Sequence, residues 1–479
     1  MKSYQKAFKK IACVSMIAGG SILGNSTAQA TESNDTTSNT IREYTLDNGL
    51  RILVKPDRRA PVVLAQIWYK VGSVYEPDGI TGISHMLEHM MFKGTKEFQP
   101  GDIDTLVETN GGSQNAFTYY DFTAYYQFWS KDKLPLSFEI ESSRMSNLVL
   151  DKTLFEKERE VVMEERRMRT EDNPIAFAQE RFLATAYTAN PRHHPVIGWM
   201  DDIQQYTIAD LQTWYNQWYA PNNAIIVVIG DIQPEEVYQQ VEKNFGHIKK
   251  SNLPTLKKHT EIPAAGEKNI TVHHPNVTVP TLLMGFNTPS INSESKKDVY
   301  PLIVLEMILG GDETSRLQEK LVRDTQIATT IHTDYEGFAL DGVLFSVLAL
   351  PSKGQSLKDI QAVILAEIKN IADNGITKKE LERVKTNVLA DKIYTMDSLP
   401  SQALAIGSFA SIGLPADYTQ TLLDNILKVT ADQVKAVAQK YLQTSNLTVA
   451  MLEAEPKSHP GSDSEQAITA DPTLKGAEK

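Results

Sequence analysis

The chain contains two copies of one structural unit, at a single fixed offset along the sequence. Ala209-Asp210 reappears as Ala431-Asp432, and Tyr219 reappears as Tyr441 at the same offset. In both copies these residues lie in a helical pattern that is followed by an apolar strand, at residues 224–229 and 447–452. Self-similarity at one fixed spacing indicates repeated architecture. The sequence therefore predicts two homologous domains of about 220 residues each.

Changes in composition predict where these domains begin and end. Residues 249–267 contain two Lys pairs, two prolines and a glycine with little apolar periodicity, which is typical of an exposed linker. This linker would join an N-terminal domain at 31–248 to a C-terminal domain at 268–455. Residues 456–479 are polar and rich in Ser, Pro, Gly and Ala, so we expect a disordered tail.

Strand and helix patterns alternate within the first copy. Asn48-Gly49 predicts a hairpin turn, and residues 62–71 have the pattern of an apolar strand. Longer helical patterns follow, at about 82–92, 101–109, 134–146 and 153–170. Together they predict an α+β fold, in which each domain has a mixed or antiparallel sheet with helices packed on one face.

The N-terminal segment, residues 1–30, has the composition of an export signal. Four lysines precede an apolar run at residues 11–23, and Ala28-Gln29-Ala30 supplies the small residues that a signal peptidase accepts. This run is shorter than the roughly 20 residues needed to span a bilayer. We therefore predict a signal peptide at 1–30, an exported chain and no integral membrane span after cleavage. Retention of the signal as an uncleaved anchor is the alternative.

Charge and cysteine content exclude further classes of protein. The chain has 48 basic and 60 acidic side chains, a formal charge of −12, whereas nucleic-acid binding depends on clustered Lys and Arg. We expect no nucleic acid partner. The single cysteine, Cys13, lies inside the predicted signal, so the mature chain would have no disulfide bond.

The stretch His85-Met86-Leu87-Glu88-His89 is the most informative for chemistry. On a helix, residues three and four apart share a face, so His85, Glu88 and His89 would point the same way. Two imidazoles at this spacing can bind one Zn²⁺, and the carboxylate can reach a water on that ion. The alternative is that His85 and Glu88 interact as helix neighbours and that His89 is an ordinary core histidine.

An acid-rich helical pattern at residues 155–167 offers candidates for a third ligand. Glu158 and Glu165 lie seven positions apart, which is two turns on one face and about 10 Å along a helix axis. One carboxylate could bind the metal, and the other could orient a histidine from outside the coordination sphere. Charged helices of this kind are more commonly solvated faces.

At this point the sequence resembles the pitrilysin/insulinase family of zinc peptidases, in its short two-domain branch that includes mitochondrial processing peptidase. The resemblance covers essentially the whole mature chain. Its motifs are residues 81–95 around the two histidines, Asn115-Ala116-Phe117-Thr118, Glu158 to Val162, His194-Pro195 with Ile197-Gly198, and Gly310-Gly311 with Ser315-Arg316-Leu317.

The resemblance implies a zinc peptidase whose two domains enclose a chamber. By position, it implies one Zn²⁺ per chain, bound by His85, His89 and Glu165, with Glu158 orienting a ligand from outside the coordination sphere. Three protein ligands would leave a coordination position for water. Glu88 would be the catalytic residue that takes a proton from that water and passes it to the leaving amine.

The resemblance also identifies a substrate-binding segment. Asn115, Ala116 and Phe117 match the edge strand on which the family binds peptide substrates as an added strand. Backbone pairing of this kind gives affinity with little sequence preference. The alternative is that these residues form an ordinary edge segment.

The second copy departs from active single-chain relatives. There, an Arg and a Tyr seven positions later help to bind substrate and stabilise the oxyanion; here the two positions are Val322 and Thr329. The absence predicts a heterodimer with a homologous, metal-free subunit that supplies the pair. The leading hypothesis is thus the zinc-bearing subunit of an exported, most simply periplasmic, metalloendopeptidase. The alternatives are a self-sufficient homodimeric peptidase and a non-catalytic peptide-binding or scaffold subunit.

Overall fold

The computed structural model describes residues 40–255, 261–262 and 265–456. The predicted signal peptide at 1–30 lies outside these residues, as do part of the predicted linker and all but the first residue of the predicted tail at 456–479. Among the described residues, no helix combines the length and the apolar character needed to cross a bilayer.

The first half of the described chain contains a sheet of six strands, with helices between them. The strands are β1 (Arg42–Thr45), β2 (Arg51–Pro56), β3 (Val62–Tyr69), β4 (Ser113–Thr118), β5 (Thr123–Ser130) and β6 (Ala224–Gly230). The helices are α1 (Ile83–Met90), α2 (Asp102–Thr109), α3 (Leu134–Asn147), α4 (Lys152–Arg166), α5 (Pro174–Ala186), α6 (Met200–Gln205), α7 (Ile208–Trp218) and α8 (Pro234–Phe245). A π-helical turn, Arg167–Glu171, continues α4.

The second half contains a sheet of five strands. The strands are β7 (Lys268–His274), β8 (Thr281–Thr288), β9 (Ala328–Tyr335), β10 (Val343–Pro351) and β11 (Leu447–Ala454). The helices are α9 (Val299–Glu306), α10 (Leu357–Asn374), α11 (Lys378–Asp397), α12 (Leu399–Ser411), α13 (Tyr418–Lys428) and α14 (Ala431–Tyr441).

The two sheets share one topology. The order is β1-β2-β6-β3-β5-β4 in the first sheet and β7-β11-β8-β10-β9 in the second. In each sheet one pair is parallel, β2 with β6 or β7 with β11, and the other neighbours are antiparallel. Apart from β1, the two orders correspond strand by strand. The prediction of an α+β chain with two homologous domains and mixed sheets is confirmed.

The repeat in the structure is one position longer than the offset between the identical side chains. Thr207 caps α7 and Thr430 caps α14, and both form a capping box with the third residue of the helix. Strands β6 and β11 begin at Ala224 and Leu447, which are separated by the same interval as the two threonines. The side chains that revealed the repeat are therefore displaced by one position from their structural counterparts.

Each sheet packs one helix of the other half on its second face. Helix α12 of the second half lies on β3 and β6, where Ala403 joins a buried cluster with Trp68. Helix α5 of the first half lies on the second sheet, where Phe182 clusters with Leu452. The two helices hold corresponding places in the two halves, so the exchange is reciprocal. It adds a second covered face to each sheet and explains why β6 is buried along its whole length.

Candidate metal centre

Helix α1 carries the histidine motif and lies in the core of the first half. Met86, Leu87 and Met90 are fully buried in that core, which leaves His85, Glu88 and His89 on the remaining face. This division follows from the helical period, because apolar and functional residues alternate at three- and four-residue spacing.

The first turn of α1 is capped by a residue from the preceding loop. Gly82, at the N-cap, has a left-handed backbone with a φ of 84° and offers no side chain. The carboxylate of Glu76 instead accepts hydrogen bonds from the backbone N–H groups of Gly82 at 2.7 Å and Ser84 at 2.8 Å. A buried acceptor thus satisfies two donors that the helix itself leaves unpaired.

The motif Ile197-Gly198 has a packing role beside α1. A Cβ on Gly82 would lie 2.2 Å from the carbonyl oxygen of Ile197, and one on Gly198 would lie 2.2 Å from the carbonyl oxygen of Thr81. The two backbones therefore contact each other directly. Both glycines have positive φ, so each is required for conformation as well as for space.

Helix α4 brings the predicted third ligand to the histidines. The carboxylate of Glu165 lies 3.3 Å from Nε2 of His89 and 3.8 Å from Nε2 of His85. One ligand atom from each of these three residues lies within 4.8 Å of the others. Zinc bonded to nitrogen and oxygen at about 2.0–2.2 Å in tetrahedral geometry separates its ligands by about 3.3–3.5 Å. The donor set and its spacing therefore fit a zinc ion.

Glu158 lies on the other side of His89. Its Oε1 atom is 2.9 Å from Nδ1 of His89, the ring nitrogen that does not face Glu165, and its Oε2 atom is 2.7 Å from Nζ of Lys93. Metal-binding histidines commonly hold a carboxylate on their second nitrogen, which fixes the tautomer and the ring orientation. The structure places Glu158 in the position for that task.

These contacts shift the ionisation of the cluster. Burial disfavours the charged form of His85 and, with neighbouring His89, lowers its pKa to about 3. Burial also opposes the charge on His89, but hydrogen bonds to Glu158 and Glu165 outweigh it and raise its pKa to about 9. Burial favours protonation of Glu165, yet the His89 hydrogen bond and the charges of His85 and Arg169 lower its pKa to about 2. Glu165 is therefore an anion, ready to act as a ligand.

Glu88 faces the cleft next to the cluster. Burial raises its pKa to about 7, against the opposing effect of a hydrogen bond from Thr118 Oγ1, which is 2.5 Å from Glu88 Oε2. A carboxyl group that titrates near neutrality can both accept and release a proton at ordinary pH. Thr118 was part of the sequence motif, but its contact with Glu88 could not be foreseen from the sequence.

The cluster opens into a cleft of about 570 Å³ beside strand β4. Asn115, Ala116 and Phe117, the predicted substrate-binding residues, all line it. Strand β4 is at the end of the first sheet, so one of its edges has no neighbouring strand in that sheet. The cleft is lined by His85, Glu88, His89, Phe92, Lys93, Asn115, Ala116, Phe117, Thr118, Tyr119, Glu158, Glu165, Arg169, Thr170, Val196 and Ile197.

The second half contributes no residue to this lining, within the part of the chain that the structure describes. Val322 and Thr329, at the positions of the family's Arg and Tyr, are absent from it. Tyr335, the next tyrosine after Thr329 in the sequence, does not line the cleft either, and its hydroxyl donates to the carbonyl of Pro289. In the second half, α9 takes the place of α1, and its residues Val299–Glu306 include no histidine. Sequence reasoning gave no role in the site to Lys93, Tyr119 or Arg169, which the structure brings to the cleft.

Comparison with protein-family models gives two matches. Residues 51–198 match the model described as Insulinase (Peptidase family M16), and residues 205–388 match the model described as Peptidase M16 inactive domain. The first match contains the histidine motif and the two candidate carboxylates of α4, Glu158 and Glu165. The second match contains most of the second half of the chain, whose described residues include no candidate metal cluster.

Individual relatives agree with these matches. The chain is 33% identical to the zinc protease PqqE of Helicobacter pylori, over 85% of this chain and 91% of that protein. It is 26% identical to the mitochondrial-processing peptidase subunit beta of Dictyostelium discoideum, over 76% of this chain and 78% of that protein. The crystal structure of a protease from Helicobacter pylori superposes with a TM-score of 0.82 at 30% identity, covering 87% of this chain and 100% of that one.

Proposed function

Because the chain belongs to the insulinase family of peptidases, family M16, in its short two-domain branch, we propose that it is the zinc-bearing subunit of a metalloendopeptidase. Its substrates would be peptides or short unfolded segments. The observation that carries the proposal is the convergence of His85, His89 and Glu165, from two separate helices, beside an open cleft.

The three ligand side chains would hold one Zn²⁺ per chain. A zinc ion in such a site supplies Lewis-acid polarisation of the scissile carbonyl and lowers the pKa of a bound water toward about 7. Glu158 would keep the His89 ring in place, because its Oε1 atom lies 2.9 Å from Nδ1 of His89. Because three protein groups fill three positions of a four-coordinate site, one position is left for chemistry.

Glu88 would carry the proton in the reaction. Its carboxyl group lines the cleft next to the ligands and is fixed by the hydrogen bond from Thr118. In this position it would accept a proton from the attacking water and donate it to the leaving amine. A subunit that only bound peptides would need no such group, so the presence of Glu88 favours an enzyme over a scaffold.

Strand β4 would align the substrate. A peptide added along its open edge would pair through backbone hydrogen bonds, with side chains pointing alternately to the two faces. Ala116 and Thr118 lie on the face toward α1, whereas Phe117 packs with Trp68 on the opposite face. Such binding selects for extended, unfolded substrate more than for sequence.

We further propose that activity requires a homologous, metal-free partner. The described second half brings no Arg or Tyr to the cleft, and Val322 and Thr329 stand at the family's positions for them. The loss of one oxyanion donor costs on the order of 10² to 10³ in rate, so the chain alone should be nearly inactive.

The basic, apolar and small-residue pattern of residues 1–30 supports a place outside the cytoplasm, most simply the periplasm.

The test combines metal analysis with peptide hydrolysis. The purified chain should bind one zinc per molecule, and it should hydrolyse quenched fluorescent peptides when a homologue carrying the Arg and Tyr is added. Glu88→Gln should retain zinc and lose at least about 100-fold in rate, because general acid–base catalysis contributes about 10² to 10⁴. Glu164→Gln, on the solvent side of α4 beside Arg167, is the matched control and should leave the rate unchanged.

Three outcomes would decide between the candidate functions. Absence of zinc in the wild-type chain would contradict the metallopeptidase proposal. Full activity of the lone chain, with a homodimeric mass, would contradict the need for a partner and favour the self-sufficient enzyme. Retention of activity in Glu88→Gln would remove the proposed role of that residue.

A further inference from the structure

Arg169 contacts the metal-ligand candidate Glu165 from the wall of the cleft. Its Nη1 atom lies 2.5 Å from Oε1 of Glu165, one helical turn earlier in the chain. The Arg169 side chain is 42% exposed and that of Glu165 is 15% exposed, so the pair lies at the border between cleft and protein. Arg169 belongs to the π-helical turn Arg167–Glu171 that follows α4, and such turns occur frequently at functional sites.

The contact divides the two oxygen atoms of the Glu165 carboxylate between different neighbours. Oε2 faces Nε2 of His89 at 3.3 Å, while Oε1 faces Arg169 at 2.5 Å and Nε2 of His85 at 3.8 Å. A glutamate has several rotatable bonds, and fixing them costs entropy. An arginine that holds Oε1 near His85 leaves Oε2 directed at Nε2 of His89 before any ion binds.

We propose that Arg169 is a positioning residue for the third metal ligand, holding Glu165 in the orientation that binds zinc. The proposal rests on the proposed function, because it assigns a role toward the ion that His85, His89 and Glu165 would share. It goes beyond that function by adding a residue outside the coordination sphere, at the opposite end of the cluster from Glu158. Arg169 touches neither substrate nor reacting atoms in this role.

Charge repulsion alone predicts the opposite change in zinc affinity when Arg169 is replaced. The direction of the measured change therefore tests the proposal. A guanidinium group beside a divalent cation repels it, and partial burial strengthens this repulsion. If charge were the only contribution of Arg169, its removal would tighten zinc binding. If Arg169 positions Glu165, its removal weakens zinc binding, and a loss of about 10- to 100-fold is typical for residues that orient a ligand.

The experiment measures zinc affinity by competition with a chromophoric chelator, using the full mature chain without its partner. Arg169→Met should lower the affinity about 10- to 100-fold, and Arg169→Lys should recover part of it by restoring a cation at the same place. Arg167→Met is the matched control, because Arg167 pairs with Glu164 in the same turn and on the solvent side. It should leave the affinity unchanged.

A double-mutant cycle with Glu165 separates positioning from charge. In a Glu165→Gln background, Arg169 has no anionic ligand to hold, so Arg169→Met should no longer weaken binding. Unchanged or tighter zinc binding by Arg169→Met in the otherwise wild-type chain would overturn the inference while leaving the proposed function intact. Failure of the wild-type chain to bind zinc at all would overturn both. Thermal unfolding of the metal-free variants checks that each is folded.

Discussion

Gly407 provides the most direct test of the helix exchange between the halves. This glycine lies within α12, which crosses from the second half onto the first sheet. A Cβ built on Gly407 would lie 2.0 Å from Cε2 of Trp68 and 2.3 Å from its Cζ2. Trp68 is fully buried and its indole N–H donates to Gln66 at 2.9 Å, so the ring has little freedom to move.

Two effects of Gly407→Ala oppose each other, and the contact with Trp68 decides the sign. Within a helix, Ala is about 1 kcal/mol more favourable than Gly. Inserting a methyl group into a packed core costs about 1–3 kcal/mol. A separation of 2.0 Å from a tightly held ring calls for the upper part of that range, because no Cβ tolerates such a contact unless the helix or the ring shifts. We expect a net loss of about 1–2 kcal/mol.

The assay is thermal unfolding followed by circular dichroism, with Ser408→Ala as the control. Ser408 is the next residue on α12, half-buried, and its hydroxyl donates to the carbonyl of Ala405 within the same helix. Its replacement should change stability by less than about 0.5 kcal/mol. Gly407→Ala should lower the midpoint by several degrees, at roughly 2–4 °C per kcal/mol for a domain of this size.

The same substitution has a functional consequence. Trp68 packs edge-on against Phe117 of the proposed substrate strand, with ring centroids 5.4 Å apart. Displacement of Trp68 should therefore raise the KM for peptides more than it lowers kcat. A Gly407→Ala variant with a higher melting temperature than the wild type would refute the packing argument, since only the helix-propensity effect would then remain.

Two further predictions concern the cluster and its surroundings. Lys93→Met removes the cation 2.7 Å from Oε2 of Glu158 and should weaken zinc binding by up to about fivefold, the effect of a partly exposed ion pair. Lys96→Met, in the same loop and exposed, is the control and should leave zinc binding unchanged. An equal loss in both variants would contradict a role for Lys93 in supporting Glu158. Burial, reinforced by His193, lowers the pKa of His194 to about 4, so the folded chain keeps it neutral between pH 6.5 and 4 while the unfolded chain gains a proton. Stability should therefore fall as the pH drops through this window, by about 2 kcal/mol at pH 5 relative to pH 8. Urea unfolding of the wild type and of His194→Gln at both pH values measures this loss of stability. The loss should be smaller in His194→Gln by the amount attributed to His194. An identical loss in both proteins would contradict the role of His194.

The candidate metal cluster was largely predictable from the sequence because local spacing determines which of its side chains share a helix face. Residues at i, i+3 and i+4 share a helix face whatever the tertiary structure, so His85, Glu88 and His89 had to lie together once the helix formed. Glu158 and Glu165 share a face for the same reason. Their assignment to different roles required the resemblance, since spacing alone does not say which carboxylate meets the imidazoles.

Contacts that depend on tertiary structure could not be read from the sequence. Arg169 belongs to a run of alternating acids and bases, where nothing distinguishes a cleft-facing arginine from solvent-facing Arg167. Apart from Gln66, strands β3 and β6 are apolar on both faces, which indicates a second covered face but not what covers it. The spacing between identical side chains is one position shorter than the spacing between equivalent helix caps and strand starts. Identical side chains need not occupy equivalent backbone positions, so the sequence alone predicted the wrong spacing.

The reciprocal exchange of α5 and α12 also bears on how such a chain could have arisen. A half-length protein with either sheet alone would present a bare apolar layer to water, which soluble monomers rarely tolerate. Two identical half-length copies could have solved this by trading that helix across a two-fold axis, as symmetric dimers do. One chain that contains both halves makes this exchange internally, so the half without the histidine motif still supports the sheet beside that motif.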